Sequence, residues 1–362
     1  MKQQAPPLVL SVFASFQIGG PQVRFSAVAN HFGRALRHAI VSMDGQYDCA
    51  QRLAPQLDIR FPAVRNARRP FLANVSEFRR MLGELEPDVL VTHNWGSIEW
   101  VLANLASERT HHVHIEDGFG PDEADDQLRR RVLARRVLLR RSTVVLPSLT
   151  LLKIAQETWR LPERRLCYVP NGVDLARFGP AETARDGPPR IGAVAALRPE
   201  KNLARLLRAT KLLLEQGRPL QLSFVGDGPE RGRLQALAED LGISRAVVFA
   251  GAMKDPAQAY REMDVFALSS DTEQMPLSVL DAMGAGLPVA ATAVGDVPQM
   301  LARENQPFLC GRDDAALANV LAQLLGDPDL RRRVGAANRL KAERDYDQGR
   351  MFQRYGELLR PV

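Results

Sequence analysis

An α/β protein built from two parallel, doubly wound sheets is what this sequence predicts, and three observations carry the prediction. The chain has 362 residues, more than one average domain of roughly 150 residues. Short apolar runs alternate with amphipathic stretches throughout, as repeated strand–helix units do. From residue 174 to residue 189 that rhythm lapses and Gly179, Pro180, Gly187, Pro188 and Pro189 gather, so a linker divides two such series. Strands joined by helices imply parallel sheets with right-handed crossovers. The expectation is two Rossmann-like domains facing each other across a cleft, with ligand at the strand carboxyl ends.

In the first series the strands are expected at Leu8–Phe13, His38–Val41, Val89–Thr92, His111–Ile115 and Thr143–Leu146. Helices are expected near Val23–Arg37, Val75–Leu85, Ile98–Ala106 and Asp122–Arg141. The second series places strands at Arg190–Ala195, Leu220–Val225, Val247–Ala250, Asp264–Leu268 and Pro288–Ala293, with a last helix at Asp347–Leu359. The domain reading is 1–172, a linker at 173–189, a second domain at 190–345, and a terminal helix at 346–362 that either stays on the second domain or crosses back to the first.

Composition narrows the function. Hydrophobic residues are 45% and charged residues 25% of the chain, an ordinary globular balance that excludes disorder. Apolar runs such as Leu8–Phe16 fall far short of the roughly 20 residues that span a bilayer. Lys2 before Leu8–Phe13 faintly resembles a signal peptide, but Gln3, Gln4, Pro6 and Pro7 intervene and no cleavage site follows. Cys49, Cys167 and Cys310 are too scattered for a disulfide framework or a zinc site, which makes a reducing, cytoplasmic compartment the default. The net charge of +6 is concentrated before residue 181, above all in Arg129–Arg141, where arginines interleave with Val132, Leu133, Val137, Leu138 and Leu139. Such a helix either lies on an anionic membrane or is a solvated surface helix with its leucines on the core. Nucleic acid is disfavoured, since no aromatic residues alternate with these arginines to stack bases.

Three constellations in the second series carry chemistry. Arg198 and Lys201 stand three residues apart at a strand end, either a fork and a point charge suited to a diphosphate or simply the charges of a solvated loop. Val225-Gly226-Asp227-Gly228-Pro229 is a strand running into a glycine turn, where backbone approaches a ligand closely or simply makes a tight connection. Ser269–Met283 leaves a strand and enters a helix near Met275-Pro276-Leu277, whose unpaired first-turn amides make a phosphate seat. Glu273 and Asp281 can accept hydrogen bonds from sugar or ribose hydroxyls, or serve as caps or surface charges.

Taken in order, these motifs with Gly284–Asp296 and Pro170-Asn171-Gly172-Val173-Asp174 resemble the retaining GT-B glycosyltransferases of family 4, the group 1 glycosyltransferases. The likeness is specific over about residues 165 to 300 and looser before, where it rests on Gly19-Gly20-Pro21-Gln22. It implies that Glu273 contacts the donor sugar or its phosphate, Asp281 the ribose, and Arg198 and Lys201 the diphosphate leaving group. It also places Gly20 and Gln22, Gly226 and Asp227, and Met275, Pro276 and Leu277 at the donor. Asp281 departs from the family, which has glutamate there; one methylene less shortens the reach by about 1.5 Å. For the polar residue at the reacting centre the first domain offers His93 and Asn94, or His114, Glu116 and Asp117, each of which can equally be a satisfied polar residue at a strand end.

The resemblance implies transfer of a sugar from a UDP- or GDP-sugar to an acceptor hydroxyl with retention, without metal and with no cofactor besides the nucleotide-sugar co-substrate. Electrostatic preorganisation would carry the catalysis. A saccharide or lipid-linked acceptor at the inner membrane face is expected, in polysaccharide or glycolipid synthesis. A nucleotide-sugar epimerase or a non-catalytic carbohydrate-binding relative remain as alternatives. A dinucleotide-dependent oxidoreductase lacks its Gly-x-Gly-x-x-Gly after either first strand.

Overall fold

The computed structural model describes residues 5–64, 71–107, 110–123, 126–180 and 187–360. It divides into two compact units, Met1–Pro170 with Met351–Val362, and Asn171–Arg350. Among the described residues the first unit holds seven strands: β1 (Leu8–Phe13), β2 (Arg37–Ser42), β3 (Ile59–Arg60), β4 (Val89–His93), β5 (His111–Ile115), β6 (Thr143–Leu146) and β7 (Leu166–Tyr168). Every pairing is parallel, in the order β3-β2-β1-β4-β5-β6-β7. The order reverses between β1 and β4, which opens a crevice at their carboxyl ends.

All six residues of β1 are buried, as a strand covered on both faces requires. Leu8, Leu10 and Val12 meet Phe78, Leu82 and Trp100 on one face. Val9, Val91, Val113 and Ile115 form the other face with Val28 and with Met351, Phe352, Tyr355 and Leu359, so the Gln348–Leu358 helix completes the core of the first unit.

Two helices differ from expectation. The first runs Gly20–Phe32 and stops at Gly33, whose φ of 55° only glycine adopts readily. The basic helix starts at Arg129, because Glu123 is turned inward and accepts the Leu128 amide at 3.0 Å. Its arginines divide between two environments. Arg135 is 1% exposed, with Nε 3.0 Å from Glu116 and Nη2 3.2 Å from Glu123. Trp95, Phe119 and Trp159 surround its guanidinium at 5.1–5.3 Å. Arg131 pairs with Asp122 and Glu123. Of the two readings of this helix, the one that sets its leucines on the core does not hold for Leu133 and Val137, which face outward at 59% and 61% exposure, beside exposed Arg129, Arg130 and Arg140.

The second unit holds, among its described residues, β8 (Arg190–Val194), β9 (Gln221–Val225), β10 (Val247–Gly251), β11 (Val265–Leu268), β12 (Val289–Thr292) and β13 (Leu309–Cys310). They are again all parallel, in the order β10-β9-β8-β11-β12-β13. The reversal lies between β8 and β11, so the segments leaving those two strands adjoin. Of the stretch expected as a linker, Val173 and Phe178 are buried in the second core, and Val173 bridges Asp347 in parallel; 181–186 lie outside the described residues. No helix among the described residues is long and apolar enough to cross a membrane.

Candidate functional site

The segment leaving β8 turns sharply because Pro199–Lys201 forms a single 3-10 turn and Asn202 adopts a left-handed conformation, φ 41°. Asn202 then caps the Leu203–Glu215 helix, its side chain accepting the Arg205 amide. This geometry leaves Arg198 exposed at the rim and without an ion pair among the described residues. Lys201 points to the segment leaving β11, where its Nζ lies 2.7 Å from Glu273 Oε1. Ser270 Oγ donates to the same carboxylate oxygen at 2.7 Å.

The Glu273 segment is held from its other side by the β12 end. Thr292 Oγ1 donates to Ser270 O at 2.7 Å, and the Asp296 amide donates to Gln274 O at 2.9 Å. Gly295 sits so close that a Cβ there would lie 2.1 Å from Glu273 O. Ser270 lies within Ser269–Met283, and Thr292 and Gly295 within Gly284–Asp296, but no sequence pattern singles them out, and only the fold shows that they cradle Glu273.

The glycine turn after β9 proves to be a close backbone approach. A Cβ on Gly226, at φ 139°, would lie 1.9 Å from Ala195 O, and one on Gly228 would lie 2.5 Å from Leu197 O. Leu197 N donates to Asp227 O at 3.0 Å and Glu230 N to Leu197 O at 3.0 Å, so this turn braces the Arg198 loop. The Asp227 carboxylate is occupied by Arg231 at 3.0 Å and by the Gly228 amide at 2.8 Å.

Met275 is buried, its carbonyl accepting Asn171 Nδ2 at 2.8 Å, which ties the Pro170–Asp174 motif to this segment. Pro276 is the N-cap and Leu277 the first residue of the Leu277–Gly284 helix. The Val279 amide already donates to Pro276 O at 3.2 Å, so the positive end of this helix is offered by the Leu277 and Ser278 amides, which precede the first intrahelical bond. Asp281 lies one turn further on, where Arg177, Asp174 and Asp255 are the charges that act on it. Burial and the two neighbouring carboxylates push its carboxyl up to about 8 against the pull of Arg177. At neutral pH it is therefore mostly protonated and able to donate as well as accept.

Gly20 and Gln22 belong to the first unit, in the first turn of the helix that follows β1; Gln22 Nε2 donates to Ser15 O at 2.8 Å. His114 is fully buried, with Nδ1 2.8 Å from Thr92 Oγ1, which also contacts His112. Asp117 receives both amino groups of buried Arg24, one at 2.9 Å, and its amide donates to Asn94 Oδ1 at 2.6 Å. That ion pair raises the Arg24 pKa despite the opposing cost of burial. His93 stacks on Phe13 at 3.9 Å, and burial, with nearby Arg24 and His114, holds its pKa well below the usual range. The strand ends thus bring His93, Asn94 and Asp117 together, while His114 and Glu116 are directed into the core.

In the second unit, then, an exposed arginine, a lysine–glutamate pair and a helix N-terminus lie on the segments that leave the sheet reversal, cationic groups with a carboxylate among them. The model of group 1 glycosyl transferases matches residues 178–341, and that of glycosyltransferase family 4 matches residues 18–177. A D-inositol 3-phosphate glycosyltransferase of Corynebacterium jeikeium is 30% identical over 296 residues, 73% of this chain and 70% of the relative. A GDP-mannose-dependent alpha-(1-6)-phosphatidylinositol monomannoside mannosyltransferase of Mycolicibacterium smegmatis is 30% identical over 217 residues, 55% of this chain and 57% of the relative, so the match spans just over half of that enzyme. Among solved structures, Anabaena HepE in complex with UDP-glucose superposes with a TM-score of 0.81 at 18% identity, covering 98% of this chain and 99% of that one. The chain belongs to the group 1 glycosyltransferases of family 4, with the two Rossmann-like domains of the GT-B fold.

Proposed function

We propose that the protein moves a sugar from a nucleoside diphosphate sugar to an acceptor hydroxyl with retention at the anomeric carbon. The observation that carries this reading is the 2.7 Å Lys201–Glu273 pair beside exposed Arg198 at the β8–β11 reversal. In the proposed reaction the bond from the anomeric carbon to the diphosphate oxygen breaks while the acceptor oxygen bonds on the same face and gives its proton to the departing diphosphate oxygen. Charge grows on the leaving diphosphate, and Arg198, Lys201 and the first-turn amides at Leu277 and Ser278 meet it. Glu273, steadied by Lys201 and Ser270, faces the sugar. Two fixed cations supply the neutralisation that a divalent metal would otherwise give, so the reaction proceeds without one. Protonated Asp281 takes a ribose hydroxyl from further along the helix.

The acceptor we propose is a saccharide or glycolipid precursor at the inner membrane face, in polysaccharide or glycolipid synthesis. Its support is the outward stripe of Leu133 and Val137 flanked by Arg129, Arg130 and Arg140, which suits an anionic bilayer. A donor panel of UDP- and GDP-sugars, scored for nucleoside diphosphate release with and without lipid acceptors and with chelator, tests the whole reading. Release from one donor class, increased by acceptor and indifferent to chelator, is expected. No release from any donor would refute transfer, and loss in chelator would refute the metal-free mechanism.

A further inference from the structure

One buried cation near the site touches none of the residues assigned to the ligand. Arg205 lies in the first turn of the Leu203–Glu215 helix, 6% exposed, beside Leu206 and Leu207 of the core. A guanidinium there costs free energy unless its donors are matched, and an apolar residue would pack as well. Its Nη donors are matched by two segments at the carboxyl edge of the sheet, while Nε has no hydrogen-bond partner among the described residues and lies 4.0 Å from Asp314 Oδ1. Nη1 donates to Ser269 O at 2.6 Å, and Nη2 to Asp271 Oδ1 at 2.8 Å and to Arg312 O at 3.2 Å. Asp271 completes the junction: its other oxygen accepts Asn202 Nδ2 at 3.0 Å, and its amide donates to Glu200 O at 2.9 Å. Ser269 Oγ donates to Lys201 O at 3.1 Å.

The two segments joined in this way are the ones that carry Lys201 and Glu273. Asp271 stands two residues before Glu273, and Asn202 one residue after Lys201. We infer that Arg205 and Asp271 are positioning residues that set the spacing of the Lys201–Glu273 pair before any ligand arrives. The inference rests on the proposed role of that pair. A planar fork is needed, because one ammonium cannot make the Ser269 and Asp271 bonds in the same geometry. Misplacement of a reacting group by about 1 Å can cost about a hundredfold in rate, so a loosened junction acts on turnover more than on donor capture.

The test uses the full chain with Arg205→Lys, Asp271→Asn and the double variant. Asp271 is partly exposed and its amide keeps the side-chain volume, so that variant remains informative should Arg205→Lys fold poorly. Three readouts are taken: steady-state kinetics on a donor the parent enzyme turns over, thermal midpoint, and hydrogen exchange of peptides covering 198–202 and 269–275. The expected result is a fall in kcat of about tenfold or more with donor KM within about threefold, faster exchange in both peptides, and a double variant no worse than the poorer single one. Unchanged exchange in both peptides would overturn the inference, as would parental kcat, a KM change alone, or a kcat loss matching the loss of folded protein. If the parent turns over no sugar nucleotide, the functional reading falls, and the exchange experiment still decides whether Arg205 and Asp271 set the two segments.

Discussion

Glu273 is held at its carboxylate by Lys201 and Ser270 and at its backbone by Gly295, so its side chain is fixed before a ligand arrives. Lys201→Ala or Glu273→Ala removes a group needed only as charge develops, and kcat should fall about a hundredfold or more, with a thermal midpoint close to the parent. Parental rates in both variants would refute the assignment. Asp281 gives a prediction of different sign. Its folded pKa of about 8 stands above the ordinary carboxylate value, so the folded chain holds a proton that the unfolded chain has released. Stability linked to this group is therefore fully present below about pH 4 and declines as pH rises through 8. Asp281→Asn should gain thermal midpoint over the parent steadily from pH 5 to pH 8.5, and a constant difference would show that the carboxyl is not raised. At this scale the sequence named Arg198 and Lys201 because a cation pair at a strand end is a local pattern, and Glu273 because the Ser269–Met283 stretch resembles a family motif. It did not name Arg205 or Asp271, whose partners lie 64 to 107 residues apart in the chain.

Strands as elements were legible where the strand itself holds four or more residues, mostly apolar, as in β1, β4 and β11. The strands β3, β7 and β13, two or three residues long, carry no such run and exist because a neighbouring strand offers an edge. The basic helix was legible in composition but not in facing, since Arg135 is drawn inward by Glu116, Glu123 and three aromatic rings. Two predictions belong here. Arg135→Ala leaves two buried glutamates without their cation and should cost about 3–5 kcal/mol of stability, measured by denaturant unfolding; a change below about 1 kcal/mol would mean that solvent reaches the pair. On the outer face, Leu133→Asp with Val137→Asp should abolish sedimentation with anionic vesicles while leaving donor hydrolysis intact. Equal sedimentation of parent and variant would remove the proposed membrane contact.

At the scale of the whole molecule, the two parallel sheets follow from the alternation of strands and helices, and each reversal of strand order marks where ligand chemistry belongs. What the alternation does not state is which loops meet at that reversal, because sheet order is set by pairing between distant strands. The most direct test of the central claim is a crystal structure of the chain grown with saturating UDP- or GDP-sugar. A diphosphate within hydrogen-bond reach of Arg198, Lys201 and the Leu277 amide, with Glu273 facing the sugar, is the predicted result. A nucleotide bound elsewhere, or none bound at all, would contradict it.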